Sequence, residues 1–319
     1  MVQTSRKTAG NRQTIYTEVT ERIIREVEGG VIPWVCPWKA GVGQDGLPVN
    51  ATSGRRYSGI NLLLLWMSAA GHGYATSRWL TYRQASEAGG QVRRGERGTM
   101  VVYAATYTPR DEIAKSVETG EDPRRVPFLK RFVVFNVDQI DGLPDQIRQG
   151  EQIPDVSGIA RIGDLDRFVA ATGADVRYGG SETYYSRSGD YIQLPPPEAF
   201  ASAHDMFTVQ AHELTHWAGA SHRLDREFGS RFGDTAYMRE ELVAEIAAAQ
   251  LSAVMGVPPV LRHAAYVQHW LSVLREDHHA IFNAARHACA AVDYLLGLAG
   301  VGEDVGSEPR VPPQRLLAA

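Results

Sequence analysis

The stretch VQAHELTHWAGASH, residues 209–222, places two histidines four apart with a glutamate directly after the first. On a helix, positions i and i+4 lie on one face, so His212 and His216 can point both imidazoles at a single ion. Glu213 sits about 100° further round, where its carboxylate meets a water beside the ion rather than the ion itself. H-E-x-x-H therefore reads as two neutral nitrogen ligands for Zn2+ and a general base, Glu213, for a water whose pKa the metal lowers to about 7. The flanking residues favour the helix. Phe207, Val209, Ala211, Leu214, Trp217 and Ala218 give it apolar faces, no proline interrupts it, and Gly219 supplies a stop after His216.

A catalytic zinc site takes three protein ligands and keeps one position open, so a third side chain must come from downstream. Two residues compete for it. His222 completes the string H-E-x-x-H-x-x-G-x-x-H, in which the glycine turns the chain back to the metal; Met238 or Met255 would then supply the methionine turn. Alternatively, the helix MREELVAEIAAA carries Glu241 and Glu245 at i and i+4 on one face. In this gluzincin-like arrangement Glu241 ligates the metal, and Glu245 orients His212 through its other ring nitrogen. Two carboxylates on a face otherwise lined with Ala, Ile, Leu and Val need a partner, because an unpaired buried charge is expensive. Met238 lies just before that helix rather than in a turn, which favours Glu241. The chemistry expected is peptide hydrolysis with Glu213 as proton carrier. Tyr237 and His222 are candidates for oxyanion donor, and the strand DYIQLPP is expected to offer an edge to an extended substrate.

Working outward, 319 residues with 44% hydrophobic content are enough for two domains. The apolar runs INLLLLWMSAA and LVAEIAAAQLSAVMG are too short or too interrupted by charge to span a bilayer, so no membrane partner is expected. The polar, basic amino terminus has no apolar signal-like region, and the two cysteines, Cys36 and Cys289, form no metal-type pair or disulfide framework. Those features point to a cytoplasmic location. Charge is unevenly divided: residues 1–140 hold 19 Lys and Arg against 13 Asp and Glu, whereas residues 141–319 hold 14 against 24. A basic first half suits a polyanionic partner.

Residues 14–27 repeat apolar positions at Ile15, Val19, Ile23 and Ile24 and predict an amphipathic helix closed by Gly29 and Gly30. A helix is expected from near Asn61 and another after Thr81 as N-cap; GTMVVYAATY and KRFVVFNV read as partner strands joined by a mobile, charged connection, PRDEIAKSVETGEDPRR. In the second half a helix over IGDLDRFVAATG, a strand pair turning near Gly189, the H-E-x-x-H helix, the MREELVAEIAAA helix and one long helix from Pro258 through AIFNAARHACAAVDYLLG are expected. The fold class is α+β, with an N-terminal α+β domain over 13–138, a linker over 139–160 and a mainly helical domain with a small sheet over 161–299. Residues 1–12 and 300–319 are expected to be disordered.

Two motif sets then resemble one family. The first half carries IPWVCPW, NATSGRRYSGIN, WLTYRQA and GQVRRGERG; the second carries AHELTHW, RLDR at 223–226 and REELVAEIAA at 239–248. Together, over roughly residues 13–295, they resemble the ArdC-like antirestriction proteins of conjugative plasmids and related primase-type proteins. The resemblance implies a first domain that binds single-stranded DNA with little sequence preference, and a zincin-like metallopeptidase domain whose third ligand looks like Glu241. Val49 departs from the family, which often has an arginine there, and so weakens the expectation of a phosphate contact at that position. Composition fits such a binder, which combines a basic groove with aromatic faces. Arg55, Arg56, Tyr57, Trp79, Tyr82, Arg83, Arg93, Arg94 and Arg97 interleave the two residue types and are the expected DNA contacts. The expected role is protection of incoming plasmid DNA. The alternative is an active zinc protease that the DNA domain tethers near protein substrates.

Overall fold

The computed structural model describes residues 14–34, 46–149, 158–226, 234–257 and 266–301. The expectations for residues 1–12, for Cys36, for linker residues 150–157, for the helix start at Pro258 and for all but the start of the 300–319 tail lie outside the described residues.

Helix α1 (Ile15–Glu28) begins where the Thr14 hydroxyl accepts from the Thr17 N–H and ends at Gly29, with Val19, Ile23, Ile24 and Val27 buried. The strands β1 (Val49–Asn50), β2 (Arg78–Thr81), β4 (Thr99–Tyr107) and β5 (Val126–Asn136) form a sheet in the order β1-β2-β5-β4; β1 and β2 are parallel, the other pairs antiparallel. Between them lie α2 (Ile60–His72) and α3 (Tyr82–Glu87), the latter started by a capping box of Thr81 and Gln84. Strand β3 (Gln91–Val92) pairs with β6 (Ile140–Asp141) in a second, two-stranded sheet.

The charged stretch expected to be a mobile connection carries helix α4 (Arg110–Thr119). Asp111 and Glu112 in its first turn suit the helix dipole, Lys115 pairs with Glu112 at 3.3 Å, and Gly120, at φ 74°, ends it in the left-handed conformation. Residues read as the start of the linker carry β6 and α5 (Asp145–Gln149). They are tied to the first half: Arg78 Nε donates to the Ile147 carbonyl at 2.8 Å.

The second half opens with α6 (Gly158–Ala171), followed by β7 (Asp175–Tyr178), β8 (Tyr184–Ser186) and β9 (Tyr191–Leu194) in a sheet of order β7-β9-β8. Strand β9, the DYIQLPP segment, is therefore central, parallel to β7 and antiparallel to β8. Both of its edges are occupied, so it cannot present one to a substrate; in this sheet the outer strands are β7 and β8. Helices α7 (Ala203–Ala218), α8 (Thr235–Val254), α9 (Val267–Glu276) and α10 (Ala280–Leu298) follow. The single long helix expected after Pro258 is two. Asp277 takes extended backbone, φ −136° and ψ 101°, and its carboxylate accepts from the His279 N–H at 2.9 Å, so the chain stops and restarts there.

The architecture is α+β with two domains, and one apolar core links them. Residues of α1 and α2 join those of α7 to α10 in one cluster. Trp34 meets Trp270 edge-on at 5.5 Å. The chain at Gly46 presses against the end of α8 so closely that a Cβ there would lie 2.3 Å from the Ala253 carbonyl oxygen. Among the described residues no helix is long and apolar enough to cross a membrane.

Candidate metal centre

Helix α7 starts at Ser202, whose hydroxyl accepts from the Asp205 N–H at 3.1 Å, and it is buried from Phe207 to its end. Helix α8 starts at Asp234, which accepts from the Tyr237 N–H at 2.6 Å, and is buried from Glu240 to Ala253. His212 faces Glu245 and His216 faces Glu240, so the two helices run antiparallel. Polar residues in such a layer are costly unless they satisfy one another.

They do so around one point. His212 Nε2 and His216 Nε2 lie 3.1 Å apart, and the two Glu241 oxygens lie 3.5 Å from one and 3.5 Å from the other. Four ligands held tetrahedrally at about 2.0–2.2 Å from an ion stand roughly 3.3–3.6 Å from each other, so these three donors are spaced as such ligands are. The outward ring nitrogens are also engaged: Glu245 Oε1 lies 3.4 Å from His212 Nδ1, and Glu240 Oε1 lies 3.1 Å from His216 Nδ1. Arg226 grips Glu240 with Nε at 3.1 Å and a terminal nitrogen at 2.6 Å.

The electrostatics ask for a cation. Glu213, Glu240, Glu241 and Glu245 are buried, and the buried guanidinium of Arg226 pairs with Glu240. Burial pushes the Glu241 carboxyl up, but the His212 hydrogen bond and both imidazoles outweigh it and bring it down to about 2. Burial acts likewise on Glu240, and His216 and Arg226 reverse it. His212 is driven down by burial and raised well above its ordinary value by Glu241 and Glu245. A divalent ion fits this set by donor type, spacing and charge.

Glu213 is buried, and its carboxylate takes no hydrogen bond from another side chain among the described residues. Tyr237 is half-buried beside the site, hydrogen-bonded to Glu241 and 3.4 Å from the Tyr266 hydroxyl; burial, Tyr266 and the charge of Glu241 hold its phenol well above the usual range. His222 is not among the converging donors. Its side chain is 58% exposed and pairs with Asp190 at 3.3 Å. The reason is the turn after α7: Leu224 N–H returns to the Ala218 carbonyl, which sends Arg223 inward and His222 outward. Arg223 lies 3.9 Å over the Trp217 ring and holds Asp190 and the Tyr185 hydroxyl, locking the β8–β9 hairpin to α7. Sequence reasoning missed Glu240 and Arg226. The doubled glutamate of REEL was the available signal, since successive residues point about 100° apart and only one of them can face His212 or the shared point.

The expected DNA contacts divide. Trp79 is fully buried against Leu65, Val101 and Val134, so its ring faces are closed to a base. Tyr57 is half-buried beside the same cluster. Tyr82, Arg55, Arg56, Arg83, Arg93, Arg94 and Arg97 are exposed. Arg83 pairs with Glu87, and Arg93 with Glu96 and Asp141. Arg55, Arg56, Arg94 and Arg97 make no ion pair among the described residues.

Comparison with known proteins agrees with this division of the chain. Residues 13–135 match the N-terminal domain of anti-restriction factor ArdC, and residues 163–287 match a zincin-like metallopeptidase domain. The chain is 38% identical over 298 residues to protein y4eC of Sinorhizobium fredii, covering 92% of this chain and 94% of that one. It is also 38% identical to DNA primase TraC of Escherichia coli, but spans 27% of that relative's length. The crystal structure of antirestriction ArdC protein from the R388 plasmid superposes with a TM-score of 0.75 in its metal-free form, at 42% identity over 90% of this chain and 98% of that one. Its Mn(II)-bound form gives 0.73 at 41% identity, over 89% and 98%.

Proposed function

This chain belongs to the ArdC antirestriction family, and on that premise we propose that it binds single-stranded DNA without sequence preference and shields incoming plasmid DNA from restriction in the cytoplasm during conjugation. The observation that carries the reading is that likeness to the antirestriction protein runs through both halves of the chain rather than one. Arg55, Arg56, Arg94 and Arg97, which make no ion pair among the described residues, support a polyanionic partner.

In this reading His212, His216 and Glu241 hold Zn2+, while Glu245 and Glu240 fix the two imidazoles. Two nitrogens and one oxygen suit zinc better than manganese, which prefers all-oxygen sites. When bound, the ion supplies Lewis acidity to a scissile carbonyl and lowers the pKa of water to about 7. The chain supplies the proton transfers: Glu213 accepts a proton from the water at its carboxylate and returns it to the leaving amine. Tyr237, with its pKa raised, stays protonated and can donate to a developing oxyanion.

A second reading, a zinc protease tethered to DNA that cleaves DNA-associated proteins, is favoured by the state of Glu213: a buried carboxylate that takes no side-chain hydrogen bond among the described residues suits a base that acts. Endonuclease protection and single-strand binding, measured side by side for wild type and Glu213→Gln, separate the two. Equal protection by the variant leaves shielding as the function. Loss of protection with binding retained makes proteolysis the function, and a wild type that neither binds nor protects refutes both.

A further inference from the structure

Past the body of the four-stranded sheet, β4 and β5 continue as a two-stranded ribbon with one aromatic face. The register pairs Tyr103 with Lys130, Ala105 with Phe128 and Val101 with Phe132, so Tyr103, Tyr107, Phe128, Lys130 and Phe132 stand on the same side. At the sheet end this side is core, with Val101 and Val134 buried against Trp79 and Leu65. Beyond them it is open: Tyr103, Tyr107, Phe128 and Phe132 are 41%, 53%, 38% and 39% exposed. The other side is anchored, since Val102 and Leu129 pack into the main core and Arg131 pairs with Glu18 of α1.

The rings are ordered among themselves. Tyr103 meets Phe132 edge-on at 6.0 Å, Tyr107 meets Phe128 at 5.9 Å, and the Lys130 ammonium lies 5.1 Å from the Phe132 centroid. A contiguous row of exposed large rings marks an interaction surface. Its charge selects the partner. Residues 99–107 and 124–136 contain no Asp or Glu, whereas Arg124, Arg125, Lys130 and Arg131 are all basic. Aromatic faces interleaved with cations, on strands that themselves carry no acid, are what a single strand needs: bases stack on the rings while the backbone runs along the positive charge. A protein partner would bury the rings equally well, but the uniformly charged backbone of a nucleic acid matches strands of uniform sign along their length.

We propose that the Tyr103, Tyr107, Phe128 and Phe132 face of the β4–β5 ribbon is a base-stacking platform for single-stranded DNA, with Lys130, Arg124 and Arg125 engaging its phosphates. The proposal rests on the single-strand reading above and adds a surface outside the arginine-rich turn at residues 93–97. The test uses the full chain and a fluorescent oligothymidylate. Phe128→Ala and Tyr107→Ala, at the exposed end, should each weaken binding by about fivefold, and Tyr103→Ala with Phe132→Ala by more than about tenfold. Phe132→Trp should retain wild-type affinity, because it keeps a stacking face. If wild type binds and all the alanine variants bind as tightly, the platform is overturned while the DNA reading survives on the arginines. If wild type binds no single strand, the DNA reading falls first and the platform with it. Should wild type form a dimer that the alanine variants dissociate at unchanged DNA affinity, the ribbon is a self-association surface and the proposal fails.

Discussion

Glu240 Oε1 lies 3.1 Å from His216 Nδ1, and Arg226 clasps the same carboxylate from its far side. The imidazole is thereby held in one orientation with its other nitrogen toward His212 and Glu241. Glu240→Gln keeps shape but removes the charge that makes His216 a better donor. It should weaken metal affinity by about 10- to 100-fold, read by competition with a chromophoric chelator, while circular dichroism stays that of wild type. An unchanged affinity would reduce the clasp to packing alone.

Removing the metal should destabilise the second half of the chain. Without a cation, four buried carboxylates, Glu241, Glu240, Glu245 and Glu213, crowd around two imidazoles and the Arg226 guanidinium. Dialysis against a strong chelator should lower the thermal midpoint, and stoichiometric Zn2+ should restore it. The His216→Ala protein should show no such zinc-dependent rise.

Trp79 tests the division between core and DNA surface. Its ring is wholly enclosed, so Trp79→Ala should cost about 3–5 kcal/mol of stability, measured by urea unfolding. At a temperature where the variant is still folded, single-strand affinity should match wild type. A loss of affinity with stability intact would return Trp79 to the binding surface.

Single-strand binding should weaken as salt rises, with a slope that counts phosphate contacts. Arg94→Ala and Arg97→Ala should each flatten the plot of log affinity against log salt by about 0.7. Arg83→Ala should change the slope less, since Glu87 already neutralises that side chain at 2.7 Å. Equal slopes for all three would remove the arginine turn from the interface.

The hairpin latch should titrate in acid. Hydrogen bonds from Arg223, opposed by burial, bring the Asp190 carboxyl from 3.8 down to about 2. A depressed carboxyl stabilises the fold above its ordinary pKa, and that contribution disappears as pH falls through about 4 toward 2. Wild type should therefore lose its thermal-midpoint advantage over Asp190→Asn across that window. Asparagine tolerates the positive φ of 51° at this position, so the comparison isolates charge.

The sequence by itself determined what depends on neighbours along the chain. The i, i+4 histidines, the Thr14 and Thr81 caps, the glycine stops and the 3.6-residue apolar period are local, and α1, α3, α7 and α8 form where those signals place them. The pairing of Glu241 with Glu245 on one face was legible for the same reason. Tertiary structure decided everything that depends on what lies opposite. Whether Trp79 stacks on a base or closes a core depends on α2 and β5 lying over it, and no local pattern records that. Strand β9 loses its free edge only because β7, separated from it in the chain by β8, pairs alongside it in parallel. His222 fits a ligand string letter by letter, yet the turn after α7 points it at solvent, since backbone hydrogen bonds rather than spacing set the direction of the chain there. Glu240 and Arg226 acquire their roles only when α7 and α8 pack antiparallel, because a clasp on the far nitrogen of His216 is a contact between helices.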